Sequence, residues 1–511
     1  MISDLKIVLS SKMVLFILSL SASLRVLFFF IFLPNTPSPF GPDEGTYAAL
    51  VKFVSEGKPV EEFPLYHAPL YNSARSIIIP SVLIYRLGLN ELDSIRAISS
   101  LYGLLSTALL VLTYIAFKRL ENLNSSQLLA SLNKTFAIFL FLFTFFPSNF
   151  IWSTIGLRES SSQFWLLATT YFILKLLNQR SRRVWAYSLP VIFSLTFAFG
   201  SRPQSALVFS ISALLVSSLL LVKRKSYLAL PVLLVGFFAG QSFTTTPIVQ
   251  ASEVFVVYEI AQPVESASPV ESASPVESAS PVESASPVES ASPVESASPV
   301  ENLVESKDQI ALLLCKSDGQ IVEGADGQLM CKKSKKYSVI NRSPIETLEK
   351  QILTTQILEN RRNENRLGAQ SALPISQCPE VTRDIPTLLK CNLSELPYRI
   401  FAFLFRPLIF FDQGSPFLTV AGVENLVWAF LIVYSAWNGL IKARVFPLHR
   451  LLSVTLFLYV FTFSAGAALY EGNLGTAFRH KSSILWPLIL ALSITPNLRT
   501  RPKGRKTSTN V

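Results

Sequence analysis

Histidine is nearly missing from this 511-residue chain, with three present, and His449 sits among basic residues of a short loop. No Ser-His-Asp set, His-x-x-x-His pair or phosphate-cradling glycine loop occurs. Soluble-type hydrolase and nucleotide-fold readings therefore have no support. Charge is scarce too: 15% of residues are charged, half are apolar and 38 are Phe. No globular surface could cover so much apolar side chain, which excludes a soluble protein. Cysteine is confined to one stretch, as Cys315, Cys331, Cys378 and Cys391. An even count suggests two disulfides in an oxidising compartment. Pairing of near neighbours, 315–331 with 378–391, is favoured among three connectivities. Zinc is the rival, but no Cys-x-x-Cys knuckle is present.

What is abundant is long apolar runs. The first covers 13–33, with Lys6 and Lys12 before it and Arg25 inside it. It reads as a retained anchor, since Pro34-Asn35-Thr36-Pro37 offers no small-residue cleavage site. Arg25 either snorkels or faces a polar cavity between helices. Further runs cover 76–89, 96–117, 135–152, 160–177, 184–200, 204–222, 228–247, 418–441, 451–470 and 482–496. The expectation is an all-α polytopic membrane protein, a bundle of about 10–11 transmembrane helices with an external juxtamembrane helix and a small external insertion.

Basic clusters set the orientation. Lys175 with Arg180, Arg182 and Arg183, then Lys223-Arg224-Lys225, then Lys442, Arg444 and Arg450, mark the cytoplasmic side. Much of the +11 net charge lies in these loops and in the tail, so it calls for no nucleic acid. Both termini are placed in the cytoplasm and residues 248–396 outside, in a plasma (inner) membrane. Counting every run as a crossing breaks this scheme, so one run fails to cross. The 76–89 run is the shortest, about 21 Å as a helix against a core of about 30 Å, and is taken as a half-span.

These assignments divide the chain. Residues 1–247 form an N-terminal transmembrane module with its first external loop at 34–75. Residues 248–302 are a spacer in which Pro-Val-Glu-Ser-Ala-Ser recurs six times from Pro263 to Ser298. A proline in each six-residue unit excludes a helix, and the apolar content is too low to offset ordering entropy. Residues 303–396 form a small external subdomain, with an amphipathic helix expected at 344–366. Residues 397–498 are the C-terminal transmembrane module, and 499–511 a basic cytoplasmic tail.

The organising stretch is Phe40-Gly41-Pro42-Asp43-Glu44-Gly45-Thr46-Tyr47. Pro42 suits the first helical position, and Asp43 with Glu44 falls in the first turn, where the dipole favours acids. Tyr47, Leu50, Val51 and Val54 follow at helical spacing until Gly57. A short amphipathic helix on the membrane surface thus holds two acids at the water–lipid boundary. The bland alternative is that the acids only cap the helix. Other charges stranded on the same side are His67, Arg75, Arg158 with Glu159, Arg202, Glu471, and Arg479-His480-Lys481. Each arginine alone can be an interfacial anchor, but arrival from five segments on one side favours function. Acids with surplus guanidinium groups suit transfer from a phosphate leaving group. In such a reaction a carboxylate accepts the proton of an acceptor hydroxyl.

An arginine-bearing first helix followed by Asp43-Glu44 at the start of a surface helix resembles the GT-C superfamily of membrane glycosyltransferases. That group includes protein mannosyltransferases and the lipid A aminoarabinose transferase. Tyr71 to Tyr85, Arg96 to Gly103, Phe146-Pro147-Ser148 with Trp152-Ser153 and Arg158-Glu159, and Gly200-Ser201-Arg202-Pro203-Gln204 look similar to stretches of bacterial members. So do Arg406-Pro407-Leu408, Glu424-Asn425-Leu426-Val427-Trp428 and the 472–481 segment. The resemblance covers roughly 10–250 and 395–496 and rests on order and spacing. It implies a polyprenyl-phosphate sugar donor, an external glycan, lipid or protein acceptor, and Asp43 as base. It makes Glu44 the base's neighbour or, with Asp43, a ligand of a divalent metal. Side and charge make Arg202, Arg479, His480, Lys481, Arg158 and Arg75 the phosphate-binding candidates. The spacer-bearing insertion departs from compact family members.

Three rivals stand beside this. A polysaccharide polymerase or ligase would use preassembled lipid-linked repeat units. A transporter would need Gly/Pro-broken helices in matching halves, which are not seen. A non-catalytic scaffold would only present residues 248–396.

Overall fold

Local sequence sets where the helices begin and end. The computed structural model describes residues 2–33, 42–58, 71–120, 123–177, 184–221, 229–244, 319–323, 329–333, 385–408, 416–442, 447–470 and 474–494. Helix α1 spans Ile2–Ser10 and α2 spans Lys12–Leu27, running on through a π-helical turn, Phe28–Phe32. Ser11 starts α2 by accepting the Val14 N–H on its hydroxyl, which supplies a partner for one of the orphan first-turn donors. Helix α3 (Pro42–Ser55) opens on a proline and stops before Gly57, whose φ of 73° is a conformation that glycine adopts without strain. Then come α4 (Arg75–Arg86), α5 (Glu91–Leu120), α6 (Ser125–Ser131), a π-helical turn (Leu132–Phe136) and α7 (Ala137–Phe145). The 135–152 run, expected as one crossing, is broken. Pro147 forces extended backbone on Phe146 (ψ 124°) and begins α8 (Pro147–Trp152).

The chain continues through α9 (Glu159–Leu177), α10 (Val184–Phe199), α11 (Pro203–Leu221) and α12 (Ala229–Thr244). After the insertion follow α13 (Ile385–Phe405), α14 (Pro416–Lys442), α15 (Pro447–Tyr470) and α16 (Leu474–Ile494). The described chain is thus all-helical except for one antiparallel hairpin, β1 (Gly319–Glu323) with β2 (Leu329–Lys333), in which Ile321 pairs with Cys331.

Two compact units result: Met1–Ile248 with Ile352–Val511, and Val249–Gln351. The insertion unit ends at Gln351, ahead of the expected boundary at 396, and α13 from Ile385 belongs to the helical unit. Cys391 on α13 is disulfide-bonded. The repeat spacer, the 344–366 segment, Cys315, Cys378, His67 and Glu471 lie outside the described residues.

Within the helical unit, charged contacts collect at two ends. At one end Asp4 pairs with Lys175 and, at 2.9 Å, with Arg119, and it accepts the Tyr171 hydroxyl at 3.2 Å. At the other end lie Arg96, Glu159, Arg202 and Arg479. Helix α9 joins the two layers: Glu159 to Lys175 spans about 24 Å at 1.5 Å per residue. At the two ends of α4 the Ser76 N–H donates to Gly200 C=O and Arg86 donates to Ser55 C=O. The large core runs between the layers, from Val14 and Ile17 through Tyr114, Phe143 and Leu166 to Trp486. A smaller core of Tyr47, Leu50, Val51, Ile77, Ile95 and Ile155 seats α3 on α4 and α5.

Among the described residues two helical stretches are long and apolar enough to cross a membrane, Lys12–Phe32 and Glu91–Leu120. Shorter apolar helices include Trp185–Phe199, Ala229–Phe243 and Ser453–Leu469.

Candidate functional site

Helix geometry separates the two acids of α3. Consecutive residues project about 100° apart, so Asp43 and Glu44 cannot face the same neighbours. Glu44 turns inward and is fully buried. Arg96 Nε donates to its Oε1 at 2.6 Å and Arg96 Nη2 to its Oε2 at 3.1 Å. The Gly156 N–H also donates to Oε1, at 3.1 Å. Both oxygens of Glu44 are thus engaged, and they face Arg96 and not the Asp43 carboxylate. Among the described residues no group of three or more His, Cys, Asp or Glu side chains is placed to hold a metal. Glu44, expected as the base's neighbour or a metal ligand, has its contacts to Arg96 and Gly156, which tie α3 to α5 and to the turn before α9.

Asp43 remains 41% exposed and meets α16: Arg479 Nη1 donates to its Oδ2 at 2.6 Å. Arg479 Nε lies 3.1 Å from Glu159 Oε1, so one guanidinium bridges two carboxylates from α3 and α9. Glu159 Oε1 also faces Arg202 Nη1 at 3.5 Å and His480 Nε2 at 3.9 Å. Its second oxygen, Oε2, is buried with no hydrogen-bond partner. Arg202, just ahead of α11, donates to the Ser483 hydroxyl at 3.4 Å and lies over the Phe463 ring. Arg158 donates to the Ser73 hydroxyl at 2.6 Å and has a buried Nε without a partner. Four chain segments thus converge: Asp43, Arg158 with Glu159, Arg202, and Arg479 with His480, closed below by Ser483.

Charge decides what this cluster can hold. Three guanidinium groups face two carboxylates, an excess of one positive charge before any ligand arrives. Burial pushes the Asp43 carboxyl up, but the charge and hydrogen bond of Arg479, helped by Arg158 and Arg202, hold it below the ordinary carboxylate range. Burial pushes the neighbouring Tyr47 phenol up to about 12, so it stays a neutral wall of the site.

Two phosphate-binding candidates go elsewhere. Arg75 lies between the Tyr71 and Phe243 rings and donates to Phe243 C=O at 2.6 Å and Asn72 Oδ1 at 2.5 Å. Those contacts tie the start of α4 to the end of α12. Lys481 is two residues past Arg479, about 200° around α16, and so faces the opposite way. Its Nζ donates to Arg406 C=O at 2.8 Å and Asn425 Oδ1 at 2.7 Å, fully buried. Nearby, Glu424 accepts the Ser148 N–H at 2.8 Å and the Trp428 indole at 3.1 Å, fixing α14 to α8. These contacts lock α16 in place behind Arg479.

No family model, curated protein or solved structure matches the chain.

The turn before α9 carries Arg158 and Glu159, and it is clamped from three helices. Arg25 Nη1 of α2 donates to the Ser153 hydroxyl at 2.7 Å and to Ser153 C=O at 3.3 Å. Ser99 of α5 donates to Ile155 C=O and Leu157 C=O, and Glu44 of α3 holds the Gly156 N–H. Close packing leaves no room for a side chain at two glycines: a Cβ on Gly103 would lie 2.7 Å from Arg25 Nη1, and one on Gly156 would lie 2.4 Å from Ile95 Cγ2. Arg25 is therefore buried in the interior, where it anchors this turn.

Sequence reading left Glu159 without a role, although it is the carboxylate on which the cluster converges. Its first-turn place on α9 looks like ordinary capping. A signal did exist: a glycine-containing turn leading straight into adjacent opposite charges. The partnership of Arg96 with Glu44, 52 residues apart, had no local signature.

Proposed function

We propose that the protein is a multi-pass membrane glycosyltransferase of GT-C type, moving a sugar from a polyprenyl phosphate to an acceptor outside the plasma membrane. The observation that carries this reading is Arg479 bridging Asp43 and Glu159 beside Arg202, an excess-positive cluster at one end of the helical unit. In the reaction the acceptor oxygen bonds to the sugar's anomeric carbon as the carbon–oxygen bond to phosphate breaks. The phosphate departs with the electron pair, and Asp43 takes the hydroxyl proton. Arg202 and Arg479 stabilise the charge that grows on the leaving phosphate.

A bilayer around the helical unit is supported by its exterior. Phe16, Phe30, Trp185, Leu189, Phe238, Phe430 and Trp437 are exposed, with Trp185 at 79%. Meanwhile Ser76, Ser99, Ser161, Ser201 and Ser205 are buried. Apolar outside with polar inside suits a lipid solvent. Arg119 and Lys175 belong on the cytoplasmic side by the positive-inside rule, which puts Asp43 outside. The disulfide at Cys391 fits an external, oxidising location for that part of the chain.

The test is sugar transfer from polyprenyl-phosphate sugars by the purified full chain, with Asp43→Asn as the deciding variant. The isostere keeps the helix start but accepts no proton, so transfer is expected to fall at least ~100-fold while expression holds. Retained transfer would remove Asp43 as base.

A further inference from the structure

We propose that Asp43 occupies, on Arg479, the place of an incoming phosphate, and that a lipid-borne phosphate ester binds there by displacing it. This rests on the transfer reading above and assigns the ligand's contact and the order of events at the same site.

The geometry carries the argument. Asp43 Oδ2 takes the Nη1 edge of Arg479, and Glu159 Oε1 sits on Nε. These two carboxylates are held unequally. Glu159 is 3% exposed and also faces Arg202 and His480, whereas Asp43 is 41% exposed and, among the described residues, pairs with Arg479 alone. Removing Glu159 would strand two buried guanidinium groups; releasing Asp43 strands one edge of one. Asp43 is thus the exchangeable partner. A phosphate oxygen accepting from Nη1 restores the bond that Asp43 gives up and also takes up the cluster's excess positive charge. Arg158, with a buried Nε that lacks a partner, stands beside the place vacated.

Displacement has a chemical consequence. While bound to Arg479, Asp43 is a weak proton acceptor because that cation stabilises its charged form. A phosphate on Arg479 cancels the field, so Asp43 becomes a competent base only when donor is present. Stray water or an acceptor arriving first then meets an idle carboxylate.

The test measures binding of a polyprenyl phosphate to the full chain in detergent micelles, with inorganic phosphate as a parallel arm. Asp43→Asn and Asp43→Ser both remove the competing charge and are expected to tighten polyprenyl phosphate binding about tenfold over wild type, while Arg479→Gln abolishes it. Inorganic phosphate is expected to compete only at far higher concentration, because it lacks the chain that lipid solvates. Equal affinity in wild type and both Asp43 variants would overturn displacement yet leave the transfer reading standing. No polyprenyl phosphate binding by any form would overturn both. A tenfold gain seen with inorganic phosphate alone would overturn the lipid source.

Discussion

Arg96 closes on Glu44 through Nε at 2.6 Å and Nη2 at 3.1 Å, with side chains 4% and 1% exposed. So dry a pair is costly to break from one side, because the survivor is an uncompensated buried charge. Glu44→Gln is expected to destabilise the helical unit by about 3 kcal/mol, read as a lower melting temperature in detergent. If the unit melts unchanged, Glu44 has another role.

Glu159→Gln removes one charge from a site where two guanidinium groups and an imidazole face it. Arg202 and Arg479 are left to repel each other, and a loss of about 3 kcal/mol is expected. Polyprenyl phosphate binding distinguishes this from simple damage: at a temperature where the variant is folded, its extra positive charge strengthens binding. Weakened binding in folded protein would sink the electrostatic account.

Gly156→Ala drives a methyl group into Ile95. Overpacking of this kind costs about 1–3 kcal/mol. Because the same turn presents Arg158 and Glu159, transfer should fall further than stability alone accounts for. Equal stability to wild type would show that the turn can shift freely.

The Asp43 pair gives stability a pH dependence of known sign. Its carboxyl is held below the ordinary range in the folded chain, so the pair's contribution is complete above the usual carboxylate pKa. It is lost as pH falls through the depressed value. Melting curves of wild type and Asp43→Asn should therefore stand apart at neutral pH and converge in acid. Parallel curves down to the acid limit would contradict the ion pair.

Much of the scaffold was legible because burying apolar runs leaves few choices: α9 begins at Glu159 where a run from 160 was read, and α11 at Pro203 against 204. The start of α3 was visible from Pro42 and its acids for the same local reason. Direction around a helix was not visible. Whether Asp43 or Glu44 faced the cluster, and that Lys481 turned from Arg479, depended on α3 and α16 docking against partners distant in the chain. Arg75 shows the same limit: its carbonyl partner, Phe243, lies 168 residues away and carries no side-chain signature. The 135–152 run is not one helix because hydropathy is blind to the backbone restriction that Pro147 puts on Phe146.

Helix α9 is pinned at both tips, by Glu159 to three basic side chains and by Lys175 to Asp4. It is a fixed mast: sliding it by even one turn would tear a charge from each knot. Any breathing that admits a substrate must then come from rigging around it: on α3 the Glu44 knot to Arg96 stays tied, and the exposed Asp43 line to Arg479 is the one that can be cast off.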